Sequence, residues 1–147
     1  MNLLFLLTSK KDVVHIKETA SLRQAIELMK HYRYSAIPVI DERGHYVGTL
    51  REGDLLWYIM EEKHSSYKEL EKISVQTILQ KDLNYPCSIM TSMEDLLLQA
   101  MDQSFVPIVD DRKLFIGIVT RKKILQYYYD RIYPSKQKTN GIVQKRM

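Results

Sequence analysis

Tyr34-Ser35-Ala36-Ile37-Pro38-Val39-Ile40-Asp41, followed after a short gap by Tyr46-Val47-Gly48-Thr49-Leu50-Arg51-Glu52-Gly53-Asp54, decides the fold of this chain. Residues 36–40 are a short, partly β-branched apolar run of strand length. Asp41-Glu42-Arg43-Gly44 is a polar turn ending in glycine. Residues 46–50 read as a second strand. Residues 51–60 then carry Leu55, Leu56, Ile59 and Met60 at helical spacing, an apolar stripe. The stretch is therefore a β-hairpin that runs directly into a helix.

The same pattern occurs a second time. Ser104-Phe105-Val106-Pro107-Ile108-Val109-Asp110 is followed by Leu114-Phe115-Ile116-Gly117-Ile118-Val119-Thr120-Arg121-Lys122-Lys123, and Pro107 and Gly117 each lie 69 positions after Pro38 and Gly48. An ungapped match of this length is an internal repeat. Before each hairpin lies a helix of the same kind. Leu22, Ala25, Ile26 and Met29 follow the capping-box pattern Ser21-Leu22-Arg23-Gln24. Met93, Leu96, Leu97 and Ala100 follow Thr91-Ser92-Met93-Glu94, read as another capping box. Val13-Val14-His15-Ile16 and Cys87-Ser88-Ile89 supply a short first strand for each copy. Each repeat is thus β-α-β-β-α.

One such unit has helices on one face of a small sheet and leaves the rest uncovered. Packing two repeats sheet to sheet with pseudo-twofold symmetry closes the core, an α+β fold. Residues 1–72 form the first repeat, with a helical turn at residues 2–7, capped by Asn2, and a charged linker at 61–72. A short helix over residues 74–79 opens the second repeat, residues 73–133. Its closing helix, 121–132, shows Ile124, Leu125, Tyr128 and Ile132 on one face and stops at Pro134. Residues 134–147 read as a mobile basic tail.

Composition bounds the function. The chain has 147 residues, 45% hydrophobic and 27% charged, ordinary values for one globular domain. The net charge of +4 and pI of about 9.1 permit an anionic ligand without selecting one. Cys87 is the lone cysteine, so no intrachain disulfide forms, and a reducing compartment is expected. Residues 3–7 are apolar but too short for a signal peptide, and no run approaches the roughly 18 apolar residues of a bilayer span. The cytoplasm is the expected location, with no membrane partner. The histidines (His15, His31, His45, His64) lack ligand spacing, which argues against a metal site. No Walker loop, Gly-x-Gly-x-x-Gly or catalytic grouping is visible, which argues against an enzyme.

The ordered motifs carry a family resemblance. Ser-Leu-x-x-Ala-Ile-x-x-Met, Ala-Ile-Pro-Val-Ile-Asp and Gly-Thr-Leu-Arg-x-x-Asp-Leu-Leu resemble a CBS domain. Phe-Val-Pro-Ile-Val-Asp and Gly-Ile-Val-Thr-Arg-x-x-Ile-Leu resemble a second one. The pair, over about residues 3–133, is similar to a Bateman module. The ending Gly-h-h-Thr-Arg-Arg/Lys (h apolar) loosely resembles the stand-alone CBS proteins of Gram-positive bacteria that bind cyclic di-AMP.

The resemblance implies a non-catalytic regulatory module with no cofactor in the usual sense. An adenosine-containing ligand (AMP, ADP, ATP or cyclic di-AMP) would occupy clefts between the repeats. It also implies a homodimer and an effector protein of unknown identity. By position it assigns ligand contact to Tyr34, Ser35, Ala36 and Pro38 and to Phe105, Val106 and Pro107. From the family pattern Gly-h-h-Thr/Ser-x-x-Asp it assigns Gly48, Arg51 and Asp54, and Gly117, Thr120, Arg121 and Lys123. In that pattern the helix-start hydroxyl and N–H groups suit phosphate, and the Asp accepts from ribose hydroxyls. Both copies depart from it. Arg51 stands where Thr or Ser is usual, and Lys123 where Asp is usual.

Blander readings stand beside these. Asp54 could cap its own helix, and Arg121, Lys122 and Lys123 could be a solvated helix face, although basic residues in a first turn oppose the helix dipole. Tyr127, Tyr128 and Tyr129 are consecutive and cannot share one face; with Trp57 and Tyr58 they suggest an interface. Two rival functions remain open. The basic pI allows a nucleic-acid-binding protein, recognisable by a steep salt dependence. The two broken motifs allow a structural dimer with vestigial pockets.

Overall fold

The computed structural model describes residues 3–62 and 66–134. The Asn2 cap, His64, the middle of the linker and the tail beyond Pro134 lie outside the described residues. The first sheet has the order β2–β3–β4, from β2 (Ile16–Lys17), β3 (Ala36–Ile40) and β4 (Tyr46–Arg51). The second has the order β1–β7–β6–β5, from β1 (Thr8–Ser9), β5 (Cys87–Ser88), β6 (Phe105–Val109) and β7 (Phe115–Thr120). Helix α1 (Leu22–Tyr32) links β2 to its parallel neighbour β3, and α4 (Met93–Met101) links β5 to β6. The hairpins β3–β4 and β6–β7 are antiparallel and lead into α2 (Glu52–Glu62) and α5 (Arg121–Ile132). Two β-α-β-β-α units are present, as the repeat requires. Even their irregularities match: the register shifts between Val39 and Ile40 and again between Ile108 and Val109.

The hairpin turns show how the repeat is written chemically. Asp41 Oδ1 accepts from the N–H groups of Arg43 and His45, each at 2.9 Å. Asp110 Oδ1 does the same for Arg112 and Leu114, each at 2.9 Å. Gly44 takes a positive φ of 91° in the first turn, and Lys113 fills the equivalent place at 64°. The tips of the two hairpins also join: the Phe115 N–H donates to the Gly44 carbonyl at 2.9 Å, and His45 bridges Leu114. The Tyr46 and Phe115 rings stack across this junction at 6.3 Å.

The core has two clusters, and the segments that join the repeats cross between them. Leu3 and Leu6, from a 3-10 turn at Leu3–Leu6, pack with Val106, Ile108, Val119 and Ile124 of the second repeat. Strand β1 extends the same sheet, Thr8 opposite Ile118 and Ser9 opposite Gly117. Conversely, Leu70, Val75, Ile78 and Leu79 pack with Ile37, Val39 and Leu50 of the first repeat. The sequence boundary at residue 72 put Leu3 and Leu6 with the first repeat and Val75, Ile78 and Leu79 with the second, whereas each packs in the core of the other; Leu70 packs where that boundary put it. The linker itself holds one helical turn, α3 (Tyr67–Leu70), capped by Ser66, because Leu70 buries into the first core.

Four local expectations are corrected. The first strand is Ile16–Lys17 and not 13–16, because β3 pairs with it only at Val39 and Ile40; Val13 and Val14 line a cleft instead. Ser21 and Gln24 form a true capping box. In α4, however, the cap is Ser92, which accepts from Asp95 N–H, so Thr91-Ser92-Met93-Glu94 is one residue out of register. In α2, Leu55 is buried, whereas Leu56 and Met60 are exposed, and Trp57 is 63% exposed. In α5, Ile124 is buried, whereas Leu125 and Ile132 are 61% and 65% exposed. An apolar stripe wider than one helix face leaves one flank off the sheet.

Candidate functional site

Each hairpin helix starts against the residue that precedes the Pro strand of its own repeat. The Glu52 N–H donates to the Ser35 carbonyl at 2.9 Å, and the Arg121 N–H to the Ser104 carbonyl at 2.9 Å. This fixes Ser35-Ala36 and Ser104-Phe105 beside the starts of α2 and α5. Two clefts open there. One, the Thr120 cleft, holds about 320 Å³; the other, the Arg51 cleft, about 280 Å³. Both lie near the lower end of small-molecule sites, roughly 300–1,000 Å³. Ser35, Ala36, Ser104 and Phe105 line both, so the clefts share a wall.

The clefts are built in equivalent ways. The Thr120 cleft combines Asp12, Val13 and Val14, which precede β2, with Tyr34 and Pro38, and adds Ile118 and Thr120 from the second repeat. The Arg51 cleft combines Asn84, which precedes β5, with Asp102 and Gln103, and adds Thr49, Arg51 and Glu52 from the first repeat. Tyr34 is about half exposed and stacks on Tyr32 with ring centroids 5.6 Å apart and planes 14° apart. It offers a flat aromatic edge at the mouth.

The Arg51 cleft has a polar floor. The Tyr46 hydroxyl donates to the Asn84 carbonyl at 2.6 Å, leaving its oxygen to accept from the Thr49 hydroxyl at 2.7 Å. Burial pushes the Tyr46 hydroxyl pKa up to about 12. Gln103, itself buried, donates to Gln99 Oε1 at 3.1 Å and to the Tyr85 carbonyl at 3.4 Å. That orientation turns its oxygen toward Asn84 Nδ2 at 3.5 Å. Asn84 Oδ1 is then buried without a partner among the described residues.

Of the residues assigned from sequence, Tyr34, Ser35, Ala36, Pro38, Phe105 and Thr120 meet in the Thr120 cleft, and Arg51 lines the other. The remainder are outside the lining of both clefts. Val106 and Pro107 are buried in the second sheet. Gly48 and Gly117 make room for the crossing segments. A Cβ on Gly48 would stand 2.9 Å from Leu79, and one on Gly117 only 2.1 Å from the Thr8 carbonyl oxygen. Arg121 donates through Nε to the Ala100 carbonyl at 2.7 Å and through its Nη to Met101, capping the end of α4. Lys123 Nζ donates to Thr8 Oγ1 at 2.8 Å.

Asp54 lines neither cleft. Its Oδ2 accepts from the Arg51 N–H at 3.0 Å, and its Oδ1 lies 3.2 Å from the Arg51 guanidinium. In the second repeat Thr120 Oγ1 accepts from the Lys123 N–H at 3.1 Å. The matched pairs 51/54 and 120/123 are therefore the two halves of one capping box, each repeat retaining one half.

Sequence reasoning missed Asp12, Asn84, Gln103 and Ser104. Ser104 was within reach, since it lies 69 positions after Ser35. The other three precede strands or end helices, where no local pattern marks them. Among the described residues no group of three or more His, Cys, Asp or Glu could hold a metal ion, and no helix is long and apolar enough to cross a membrane.

The CBS domain family model matches residues 7–61 and 81–130, one match per repeat. The chain is 27% identical over 145 residues to the chloroplastic CBS domain-containing protein CBSX1 of Arabidopsis thaliana, covering 82% of this chain and 61% of that protein. Among solved structures it resembles a CBS domain protein from Streptococcus pneumoniae (TM-score 0.81, 26% identity, 88% of this chain and 87% of that one). It also resembles the CbpB protein of Listeria monocytogenes in complex with c-di-AMP (TM-score 0.76, 25% identity, 86% of this chain and 94% of that one). The two matched repeats, their common sheet order and the two clefts between them agree: this chain belongs to the CBS domain family, as a tandem pair of repeats.

Proposed function

We propose that the chain is a non-catalytic regulatory module that binds an adenine nucleotide between its repeats and signals through a partner or a change of oligomer. The observation that carries this reading is the pair of equivalent clefts sharing the wall Ser35-Ala36 and Ser104-Phe105. A ligand held there touches both repeats at once, so its binding energy bears on how the repeats sit together. The Listeria relative, crystallised with c-di-AMP, makes a cyclic dinucleotide a leading candidate, beside AMP, ADP and ATP.

The output surface we propose is carried by Trp57 and Met60 on α2 and by Leu125 and Ile132 on α5, all more than 60% exposed. Exposed Trp and Leu side chains on helices fit an interface with a second copy. A thermal-shift panel with c-di-AMP, AMP, ADP, ATP and a nonspecific oligonucleotide tests the binding reading. A ligand at 100 times its Kd stabilises the fold by about 2.7 kcal/mol. A shift with an adenine nucleotide supports the reading. A flat panel favours vestigial pockets, and a shift with the oligonucleotide alone favours a nucleic-acid role.

A further inference from the structure

In the second repeat the residue at the family's ribose-reading position is a lysine that lies outside the lining of the Thr120 cleft. Lys123 stands where the pattern has Asp, and its ammonium is held by Thr8 Oγ1 at 2.8 Å. The other copy supplies no substitute, because Asp54 is engaged by Arg51 and lies 8% exposed outside both clefts. Helix α5 thus brings a hydroxyl, a lysine and no carboxylate to its start.

A carboxylate reaches the cleft by another route. Asp12 lines the Thr120 cleft with Tyr34, Pro38 and Thr120. It ends a 3-10 turn, Lys10–Asp12, that follows directly on β1. Because β1 pairs with β7 and Lys123 reaches Thr8, this segment is fixed to the strand that ends in Thr120. Asp12 is therefore tied to the second repeat and faces the Pro strand of the first. Its Oδ2 accepts from the Ser9 hydroxyl at 3.3 Å, which orients the group. Ionised, a carboxylate is an acceptor only, with capacity for several hydrogen bonds, and free ribose hydroxyls are donors: the 2′ and 3′ groups of AMP, and the 2′ group alone in a 3′,5′-linked cyclic dinucleotide.

We propose that Asp12 reads the ribose hydroxyls of a nucleoside bound in the Thr120 cleft, replacing the helix aspartate that this repeat lacks. The inference rests on the adenine-nucleotide reading above. It makes the cleft selective for a ribonucleoside over a 2′-deoxynucleoside. It also sets a negative charge near the sugar, so the ligand's phosphate lies away from Asp12.

Titration calorimetry at low salt tests this on the full chain, with AMP, 2′-deoxy-AMP, c-di-AMP and its 2′-deoxy counterpart. The parent should prefer the ribose form of the ligand it binds by about tenfold, the effect of roughly one charge-assisted hydrogen bond. Asp12→Ala should bring that ratio close to one by weakening only the ribose form, and Asp12→Asn should fall between. Thermal melts of both variants should match the parent, since Asp12 is exposed. Equal weakening of ribose and deoxy forms assigns Asp12 a structural role and overturns the proposal, as does a ratio unchanged in Asp12→Ala or absent in the parent. If the parent binds none of the four, this proposal is overturned; the adenine-nucleotide reading falls with it when ADP and ATP also leave the melting temperature unmoved.

Discussion

Asp54 holds Arg51 twice, accepting its backbone N–H at 3.0 Å and facing its guanidinium at 3.2 Å, and so closes the first turn of α2. Its counterpart in the second repeat runs the other way: the Thr120 side chain accepts from the Lys123 N–H at 3.1 Å. The positions that the family resemblance presents as a ribose-and-phosphate motif close the first turn of a helix in each copy. Only Arg51 and Thr120, the first member of each pair, face a cleft.

Removing either half-cap should therefore cost stability before it costs binding. We expect Asp54→Ala and Thr120→Ala each to lower unfolding free energy by about 1 kcal/mol, within the usual range for a lost helix cap. Urea denaturation measures this. For Asp54→Ala, unchanged stability with a large loss of nucleotide affinity would return Asp54 to a ligand-reading role.

The two motif glycines should prove unequal. Gly117→Ala places a Cβ 2.1 Å from the Thr8 carbonyl oxygen at a φ of 155°, so β1 must move off β7. Overpacking against backbone together with strain predicts a loss of about 2–4 kcal/mol. Gly48→Ala meets the buried Leu79 side chain, not backbone, at 2.9 Å and should lose about 1–2 kcal/mol. Comparable midpoints in chemical denaturation for the two variants would show that β1 is not what Gly117 accommodates.

Alkaline pH should loosen the Arg51 cleft first. Burial raises the Tyr46 hydroxyl from the usual 10 to about 12, so the folded chain keeps a proton there that the unfolded chain has lost. The stabilisation is whole below pH 10 and disappears as pH rises from 10 to 12. Tyr46→Phe has no such proton, so the stability difference between parent and variant should shrink across that interval, by on the order of 2 kcal/mol. Parallel pH profiles for the two proteins would contradict the assignment.

The exposed apolar residues of α2 and α5 should hold a second copy. Light scattering is expected to give twice the chain mass of 17.4 kDa, and Trp57→Glu with Leu125→Glu should reduce it to the single value. A parent that stays at 17.4 kDa over a wide concentration range removes the homodimer from the account.

The fold was legible because it is written twice. Pro38 and Pro107, Gly48 and Gly117, and the aspartates of both turns keep one spacing, and that spacing carries strands, hairpins and closing helices with it. What sequence did not show is non-local. Nothing in Leu3, Leu6 or Leu79 says which repeat each will cover, and the crossing of these segments follows from tertiary packing alone. The same applies to the site. The Pro-strand residues from Tyr34 to Pro38 stood out, whereas Asp12 and Asn84 reach the clefts only because irregular backbone before β2 and β5 leads there. The packing role of the glycines was hidden for a related reason: a glycine required by a neighbouring segment looks, in sequence, like one required by a ligand.

A crystal structure of the chain grown with c-di-AMP or AMP, at a concentration that saturates binding in solution, tests the central claim most directly. The account predicts a nucleotide between the repeats, against the wall of Ser35, Ala36, Ser104 and Phe105, with a ribose hydroxyl within hydrogen-bond distance of Asp12. Both clefts empty, with the nucleotide seated on α2, α5 or elsewhere on the surface, would contradict it.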